Sequence, residues 1–422
     1  MDFSLSDDQK LIRDTVRQFM EAELRPVVRQ YEHEEHFPAD EIRRLGELGC
    51  CGMLIPEEWG GAGVDTISYV LMLEEVARVD AATAVALSVT NSVAGMPLWN
   101  HGNDSQKRRY LRRLASGEIL GGFCLTEPQA GSDAAAIQTR ATLHGNVYHL
   151  NGTKTWVTNG GVAGVYLVFA KTDPAAGARG VTAFLVEPTF PGFRVGRYED
   201  KMGIRTSRTA ELVFNDCEVP AENRVGEEGR GLKIALEALD GGRVGIAAQA
   251  LGIAQGAMEE AVGYAKQRRA FGKAIGEFQA IQWMIADMQT EIEAARGLVY
   301  YAAWLREEGS ARAGVHASRA KLYASEMVNR VVYKAVQVHG SVGYSREMNV
   351  ERMYRDARVI SIYEGTSEIQ RLVIARDLLG LAGDPRREKQ STEAFAAKPA
   401  ATTGAAAREP SSFAAGPLKG GR

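Results

Sequence analysis

Val165-Tyr166-Leu167-Val168-Phe169-Ala170 and Val181-Thr182-Ala183-Phe184-Leu185-Val186 are the runs on which the reading of the fold turns. Both are short and rich in β-branched and aromatic residues, the composition of a pleated, buried strand. Similar runs surround them between Gly121 and Pro220: Thr139–Leu143, Val147–Leu150, Lys154–Thr158 and Glu211–Phe214. Asn151-Gly152 and Asn159-Gly160 read as hairpin-type turns between such runs. Short strands repeated at this spacing predict an antiparallel sheet or barrel in the middle of the chain.

On either side the apolar period is helical. Ser6 with Gln9 has the spacing of a capping box, and Leu11, Ile12, Val16, Phe19 and Met20 follow on one face before Pro26. After the break Gly60-Gly61-Ala62-Gly63, Val70, Leu71, Leu73 and Val76 predict a helix over 66–79. The helical period returns from about Gly231 to Gly380, with an Ala/Gly-rich stretch at 244–266 and a second amphipathic stretch at 316–338. The order is a helical domain (1–120), a β-domain (121–228), a helical bundle (229–381) and a tail (382–422) whose composition predicts disorder.

A chain of 422 residues is long enough for about three domains. A net charge of −3 and a pI near 6.2 leave no electrostatic footprint for nucleic acid or an anionic membrane. The first ten residues lack the basic start and apolar core of a signal peptide, and no apolar run is expected to reach the ~18 residues that span a bilayer. Cys50, Cys51, Cys124 and Cys217 have neither zinc-ligand nor redox CxxC spacing. The expectation is a reduced, cytoplasmic protein without a metal site.

Several segments carry chemistry. Ile362-Tyr363-Glu364-Gly365-Thr366-Ser367-Glu368-Ile369-Gln370-Arg371 puts a carboxylate on a Gly-containing turn before an amphipathic helix. Ser367 and Gln370 have the spacing of an N-cap and its reciprocal partner. Apolar neighbours could tune Glu364 into a general base; equally, the acid could simply precede a capping box. Leu125-Thr126-Glu127-Pro128-Gln129-Ala130-Gly131-Ser132-Asp133 is a loop after a strand that offers hydroxyls at Thr126 and Ser132. In Trp156-Val157-Thr158-Asn159-Gly160-Gly161 the indole and the Thr158 hydroxyl share a face at period two, suited to a flat heteroaromatic ring. Arg268-Arg269-Ala270-Phe271-Gly272-Lys273, with Gln279 beyond it, is either a solvated basic helix end or a phosphate clamp. Gln337-Val338-His339-Gly340-Ser341-Val342-Gly343 is a Gly-rich break between helices that could approach an anion. His339 has no second ligand at helical spacing and is no metal site.

Taken in order, these segments resemble the acyl-CoA dehydrogenase family, over roughly residues 3–381. The resemblance implies an N-terminal helical domain, a middle β-domain forming an antiparallel barrel or sandwich, and a C-terminal four-helix bundle. It implies FAD as cofactor, a homotetramer, and the α,β-dehydrogenation used in fatty acid β-oxidation. Electrons would pass to an electron-transfer flavoprotein. Carried over residue by residue, Phe123, Leu125, Thr126 and Ser132 would contact the flavin, Trp156 and Val157 would pack by the ring, and Thr158 would bond near N5. Arg268, Phe271 and Gln279 would reach the FAD of a neighbouring subunit, and Gln337, Val338, His339, Gly340 and Ser341 would hold its other end. Thr366, Ser367 and Glu368 would also touch FAD, while Ser132, Asp240, Arg243 and Gly365 would hold the acyl-CoA. Glu364 would be the base that takes the α-proton, its backbone N–H serving as an oxyanion donor.

The sequence departs from some members of the family. Those that place the base on the helix before the counterpart of Arg243 have a carboxylate where this chain has Gly242. Glutaryl-CoA members carry an Arg where this chain has Ala84-Val85, so no partner for a substrate carboxylate is expected. Ser341 stands where a second Gly is common; little effect is expected if its φ is negative. The rival readings are an acyl-CoA oxidase that uses O2, a DNA-binding flavoprotein of the same fold, which the acidic net charge opposes, and a purely structural helical protein.

Overall fold

The computed structural model describes residues 4–381; the expected disordered tail at 382–422 lies outside the described residues. The chain opens with helices α1 (Asp7–Phe19), α2 (Val28–Glu34), α3 (Ala39–Glu47), α4 (Thr66–Val79), α5 (Ala81–Ser88), α6 (Met96–His101) and α7 (Asp104–Ala115). The Ser6–Gln9 capping box closes the start of α1 as expected: each side chain bonds the other's backbone. α5 and α6 are joined by a π-helical stretch, Val89–Gly95.

The resulting continuous helix, Ala81–His101, corrects one expectation. It is long and apolar enough to cross a membrane by length and composition, yet 94% of its most apolar window is buried inside the protein. It is a core helix. Polar groups on it bond inside the protein, as Asn91 Nδ2 does in donating to the carbonyls of Cys50 (2.8 Å) and Leu87 (3.0 Å).

The middle of the chain forms β1 (Gly121–Cys124), β2 (Arg140–His144), β3 (Val147–Thr158), β4 (Val165–Lys171), β5 (Val181–Val186), β6 (Phe193–Tyr198), β7 (Thr209–Pro220) and β8 (Arg224–Val225). The sheet order is β6-β7-β3-β2-β4-β5-β8, mostly antiparallel, with β1 added alongside β4 in parallel. β4 and β5 are buried along nearly their whole length, which is why they read as unbroken apolar runs.

Neither Asn-Gly pair is a hairpin turn. Asn151-Gly152 lies inside β3, where the register with β7 shifts and Gly152 takes φ +153°; one extra residue in a ladder makes a bulge rather than a turn. Asn159-Gly160 follows β3 but leads to a strand that is not its neighbour. The turn joining β2 to β3 is Gly145-Asn146, with Gly145 at φ +60°.

The C-terminal helices are α8 (Gly231–Gln267), α9 (Gln279–Glu307), α10 (Ala313–His339), α11 (Asn349–Arg358) and α12 (Ser367–Leu379). A small hairpin of β9 (Arg269–Ala270) and β10 (Lys273–Ala274) links the first two. α8 is the axis of the molecule and packs against α4, α9 and α10. A Cβ on its Gly252 would collide with the Glu74 carbonyl of α4. Glycine costs roughly 1 kcal/mol in a helix interior; here it permits the close approach of two core helices.

Candidate active site

Glu364 sits on the turn between α11 and α12. Both it and Gly365 adopt left-handed backbone, at φ +54° and +87°. A glutamate held there costs about 1 kcal/mol or more, strain of the kind stored at functional sites. The two left-handed residues complete the turn one position earlier than a Ser367 cap would need. Thr366 is therefore the N-cap, its hydroxyl accepting from Ile369 N–H at 3.3 Å, and Ser367 is already helical. Gln370 does not reciprocate to the cap. Its amide donates to the carbonyls of Gly365 (2.9 Å) and Glu364 (3.3 Å), tying the turn to the helix that follows.

The Glu364 residue as a whole is half-buried, but its Oε2 is buried and has no hydrogen-bond partner among the described residues. That oxygen lies over Gly242 of α8: a Cβ there would stand 2.6 Å from it. Burial pushes the Glu364 carboxyl up to about 7, while the positive charges of Arg243 (α8) and Lys321 (α10) hold it down. The carboxylate is thus tuned for proton transfer near neutral pH.

Arg243 is buried and bonds Asp240 Oδ1 at 2.6 Å and Ser318 Oγ at 3.3 Å. Next to it, Gly245 faces α4 and α5. A Cβ on Gly245 would meet Ser88 Oγ at 2.5 Å and Tyr69 OH at 2.7 Å, and these two hydroxyls bond each other at 3.2 Å. The face of α8 that carries Gly242 and Gly245 is thus walled by Val93, Tyr69, Ser88 and Leu73.

β1 packs on Val89–Gly95, the stretch that puts Val93 beside Gly242, so the sheet edge and Glu364 share one neighbourhood. Trp156 takes φ +58° at a bulge in β3, with the indole 59% exposed. Thr158 is half-buried beyond it, whereas the Val157 side chain points into the core and can offer a ligand only its backbone. Phe123 packs on Phe169 at 5.0 Å, Leu125 is buried, Thr126 is half-buried and Ser132 is exposed.

A buried ion pair holds this edge together. Lys154, fully buried on β3, donates to Glu127 Oε1 at 2.7 Å and to the Leu125 carbonyl at 3.1 Å. Glu127 also accepts from the backbone N–H of Gln138 (2.6 Å) and Thr139 (3.0 Å). Burial pushes the Glu127 carboxyl up, but Lys154 and these donors more than offset it, leaving it below the ordinary range.

The second group of expected residues lies elsewhere. Arg268 ends the helix that carries Gly242, roughly 39 Å away at 1.5 Å per residue. Phe271, at φ +51° on the tip of the β9–β10 hairpin, is 95% exposed, and Gln279 is exposed at the start of α9. Gln337, Gly340 and Ser341 are exposed near the same end, where His339 stacks on Tyr264 at 4.5 Å. Val338 and His339 are buried; His339 Nδ1 pairs with the Ala335 carbonyl at 2.8 Å, while its Nε2 has no hydrogen-bond partner among the described residues and the residue lines a cavity with Tyr264 and Gln267. Ser341 keeps a negative φ. Within one chain these residues do not join the Glu364 cluster.

The chemistry of these groups fits a bound flavin nucleotide. An exposed indole stands at the sheet edge, the Ser367 hydroxyl is buried without a partner among the described residues, and Thr366, Ser367 and Glu368 line a cavity of about 330 Å³ with Ile362, Asn329 and Arg358.

Sequence reasoning missed Lys321, Lys154 and Tyr69. A signal existed for Lys321: it sits among Ala317, Ser318, Ala324 and Ser325 on the buried stripe of α10, where a cation needs a partner.

Family models match almost all of the described chain: the acyl-CoA dehydrogenase N-terminal domain at 6–118, middle domain at 122–217 and C-terminal domain at 229–379. A short-chain specific acyl-CoA dehydrogenase of Clostridium acetobutylicum is 48% identical, over 89% of this chain and 99% of that protein. The solved butyryl-CoA dehydrogenase of Megasphaera elsdenii superposes with a TM-score of 0.88 at 48% identity, over 90% of this chain and all (100%) of that one. A structure described as the electron transferring flavoprotein of Acidaminococcus fermentans, in work on flavin-based electron bifurcation, superposes with a TM-score of 0.89 at 49% identity, again over 90% and 100%.

Proposed function

This chain belongs to the acyl-CoA dehydrogenase family, FAD-dependent oxidoreductases, and we propose that it converts a short-chain acyl-CoA to the trans-2-enoyl-CoA with Glu364 as the base. The observation that carries the reading is the buried, unpartnered Glu364 Oε2 above Gly242. A carboxylate left without a hydrogen bond in an apolar site has its proton-accepting lone pairs available to a substrate.

The α-proton of a thioester is weakly acidic, so its removal needs a positioned base and a donor for the developing enolate oxygen. Glu364 takes the α-proton. Its own backbone N–H, on the left-handed turn, would donate to the thioester oxygen, and Arg243 and Lys321 oppose the burial that would otherwise hold the carboxyl protonated. FAD, when bound, supplies the acceptor for the β-hydride. Phe123, Leu125, Thr126, Ser132, Trp156, Thr158 and the Val157 backbone would hold it at the sheet edge, and Thr366, Ser367 and Glu368 at the turn. Asp240, Arg243, Ser132 and Gly365 would hold the acyl-CoA. The tight packing of Tyr69 and Ser88 against Gly245 supports a short acyl group, because it closes the path along α8 within one helical turn of the base.

Arg268, Phe271, Gln279 and the 337–341 loop lie too far from Glu364 to serve the same site, which supports their reaching the FAD of a neighbouring copy in a homotetramer. An electron-transfer flavoprotein is the proposed acceptor. Stopped-flow reoxidation should be fast with that partner and slow with O2; fast turnover with O2 would favour an oxidase. Anaerobic flavin bleaching by a panel of acyl-CoAs tests the reaction itself. Glu364→Gln should still bind acyl-CoA but reduce FAD slower by a factor on the order of 10³ or more. Near-normal bleaching by that variant would refute the assignment.

A further inference from the structure

Lys321 is fully buried on α10, where an unpaired ammonium is among the costliest groups a core can hold. Among the described residues its hydrogen bond goes to one atom, the Gly365 carbonyl, at 2.8 Å. That carbonyl already accepts from Gln370 at 2.9 Å. A second donor is not needed to satisfy it, and a buried cation is an expensive way to supply one. What Lys321 adds that Gln370 cannot is charge, delivered to the peptide next to the base.

We propose that Lys321 is a positioning residue for the reaction: its ammonium clamps the Gly365 carbonyl, and with it the left-handed turn that aims Glu364, while its charge favours the ionised base. This inference rests on the reading of Glu364 as the base.

The surrounding charges fit the role. Glu364 faces Arg243 from α8, Lys321 from α10 and the phenol of Tyr69 from α4. Lys321 in turn faces Glu364, Arg243, Glu326 on its own helix and Glu368 at the start of α12. Arg243 also bonds Asp240 and Ser318, while the hydrogen bond of Lys321 goes to the turn itself, at the Gly365 carbonyl. Burial pushes the Lys321 ammonium down to about 7, opposed first by the Glu364 charge. Each group therefore favours the charged form of the other. A substrate proton arriving at Glu364 weakens the hold on the Lys321 proton, so the pair responds to catalysis as a unit.

The test compares Lys321→Met, which removes bond and charge, with Lys321→Gln, which keeps a donor but no charge. Both are measured as FAD-loaded enzyme beside wild type and Glu364→Gln. The readout is the rate of anaerobic flavin reduction by saturating butyryl-CoA as a function of pH, with KM and flavin content measured in parallel. Loss of a nearby cation raises the pKa of a carboxylate, so in both variants the pH at which reduction reaches half its plateau should rise by roughly one unit or more. The plateau should fall about tenfold or more in Lys321→Met and less in Lys321→Gln, with KM little changed. If Glu364→Gln is inactive but both Lys321 variants keep the wild-type pH limb, the inference fails and the base assignment stands. If Glu364→Gln reduces flavin normally, the base assignment itself fails. A purely structural lysine would lower melting temperature and flavin content in both variants without moving the limb, which also overturns the proposal. Should Lys321→Met not retain FAD, the limb of Lys321→Gln alone decides.

Discussion

Gly242 lies directly beneath the Glu364 carboxylate, so close that a single methyl group on α8 would stand 2.6 Å from Oε2. The same position would carry the base in relatives that place it on this helix, and here its emptiness makes room for Glu364, the proposed base, from another part of the chain.

Gly242→Ala should therefore slow flavin reduction by roughly 10- to 100-fold, since displacing a catalytic group by about 1 Å costs on that order. Alanine is the better helix former by about 1 kcal/mol, which offsets part of the clash, so melting temperature should change much less than rate. Parallel stopped-flow and thermal unfolding measurements check the split.

Glu364 makes stability depend on pH with a defined sign. Its folded-state pKa, about 7, lies above the ordinary 4.5, so the folded protein binds the extra proton between those values. The stability this contributes is complete below about pH 4.5 and is lost as pH rises through about 7. Glu364→Gln removes the effect. The variant should gain on wild type by on the order of 2 kcal/mol between pH 4.5 and 7.5, visible as a widening difference in melting temperature. Flavin reduction by wild type should rise over the same range as the base ionises.

Lys154→Met should destabilise the protein by about 3–5 kcal/mol, because it strands the Glu127 carboxylate in the core. The loop from Leu125 to Ser132 would lose its anchor, so FAD should be released more readily. Lys154→Met combined with Glu127→Gln should recover part of the lost stability. Equal losses in the single and double variants would contradict the pairing.

Tyr69→Ala should move the chain-length optimum of flavin bleaching toward longer acyl-CoAs, by opening the wall opposite Gly245. A core tyrosine truncation costs roughly 3–5 kcal/mol, so the comparison is the ratio of kcat/KM between butyryl-CoA and longer homologues, not the absolute rate. An unchanged ratio would place the end of the acyl pocket elsewhere.

Much of this was legible in the chain. Short runs of β-branched and aromatic residues mark β4 and β5, against the helical period of α4, α8 and α10, and Gly242 was readable as a helix position lacking a carboxylate. What failed did so for local physical reasons. Asn151-Gly152 has turn chemistry, but β3 pairs on both sides of it, and the ladder carries the pair straight through opposite a bulge in β7. Ser367 has the right spacing for a cap, yet the consecutive left-handed residues Glu364 and Gly365 handed that role to Thr366. Lys154 and Lys321 look like surface residues by type. Tertiary packing shows where each is fastened: Lys154 on the Leu125 carbonyl and the Glu127 carboxylate, Lys321 on the Gly365 carbonyl.

The length of α8 has a genetic consequence. With Gly242 and Arg268 roughly 39 Å apart on one rod, and each serving a different cofactor in the proposed assembly, a lesion at one end would be felt in a neighbour's chemistry. Chains defective only at Glu364 and chains defective only at Arg268 would each be inactive alone. Co-assembled, they would regenerate some sites in which both contributions are intact, so two dead alleles could complement each other.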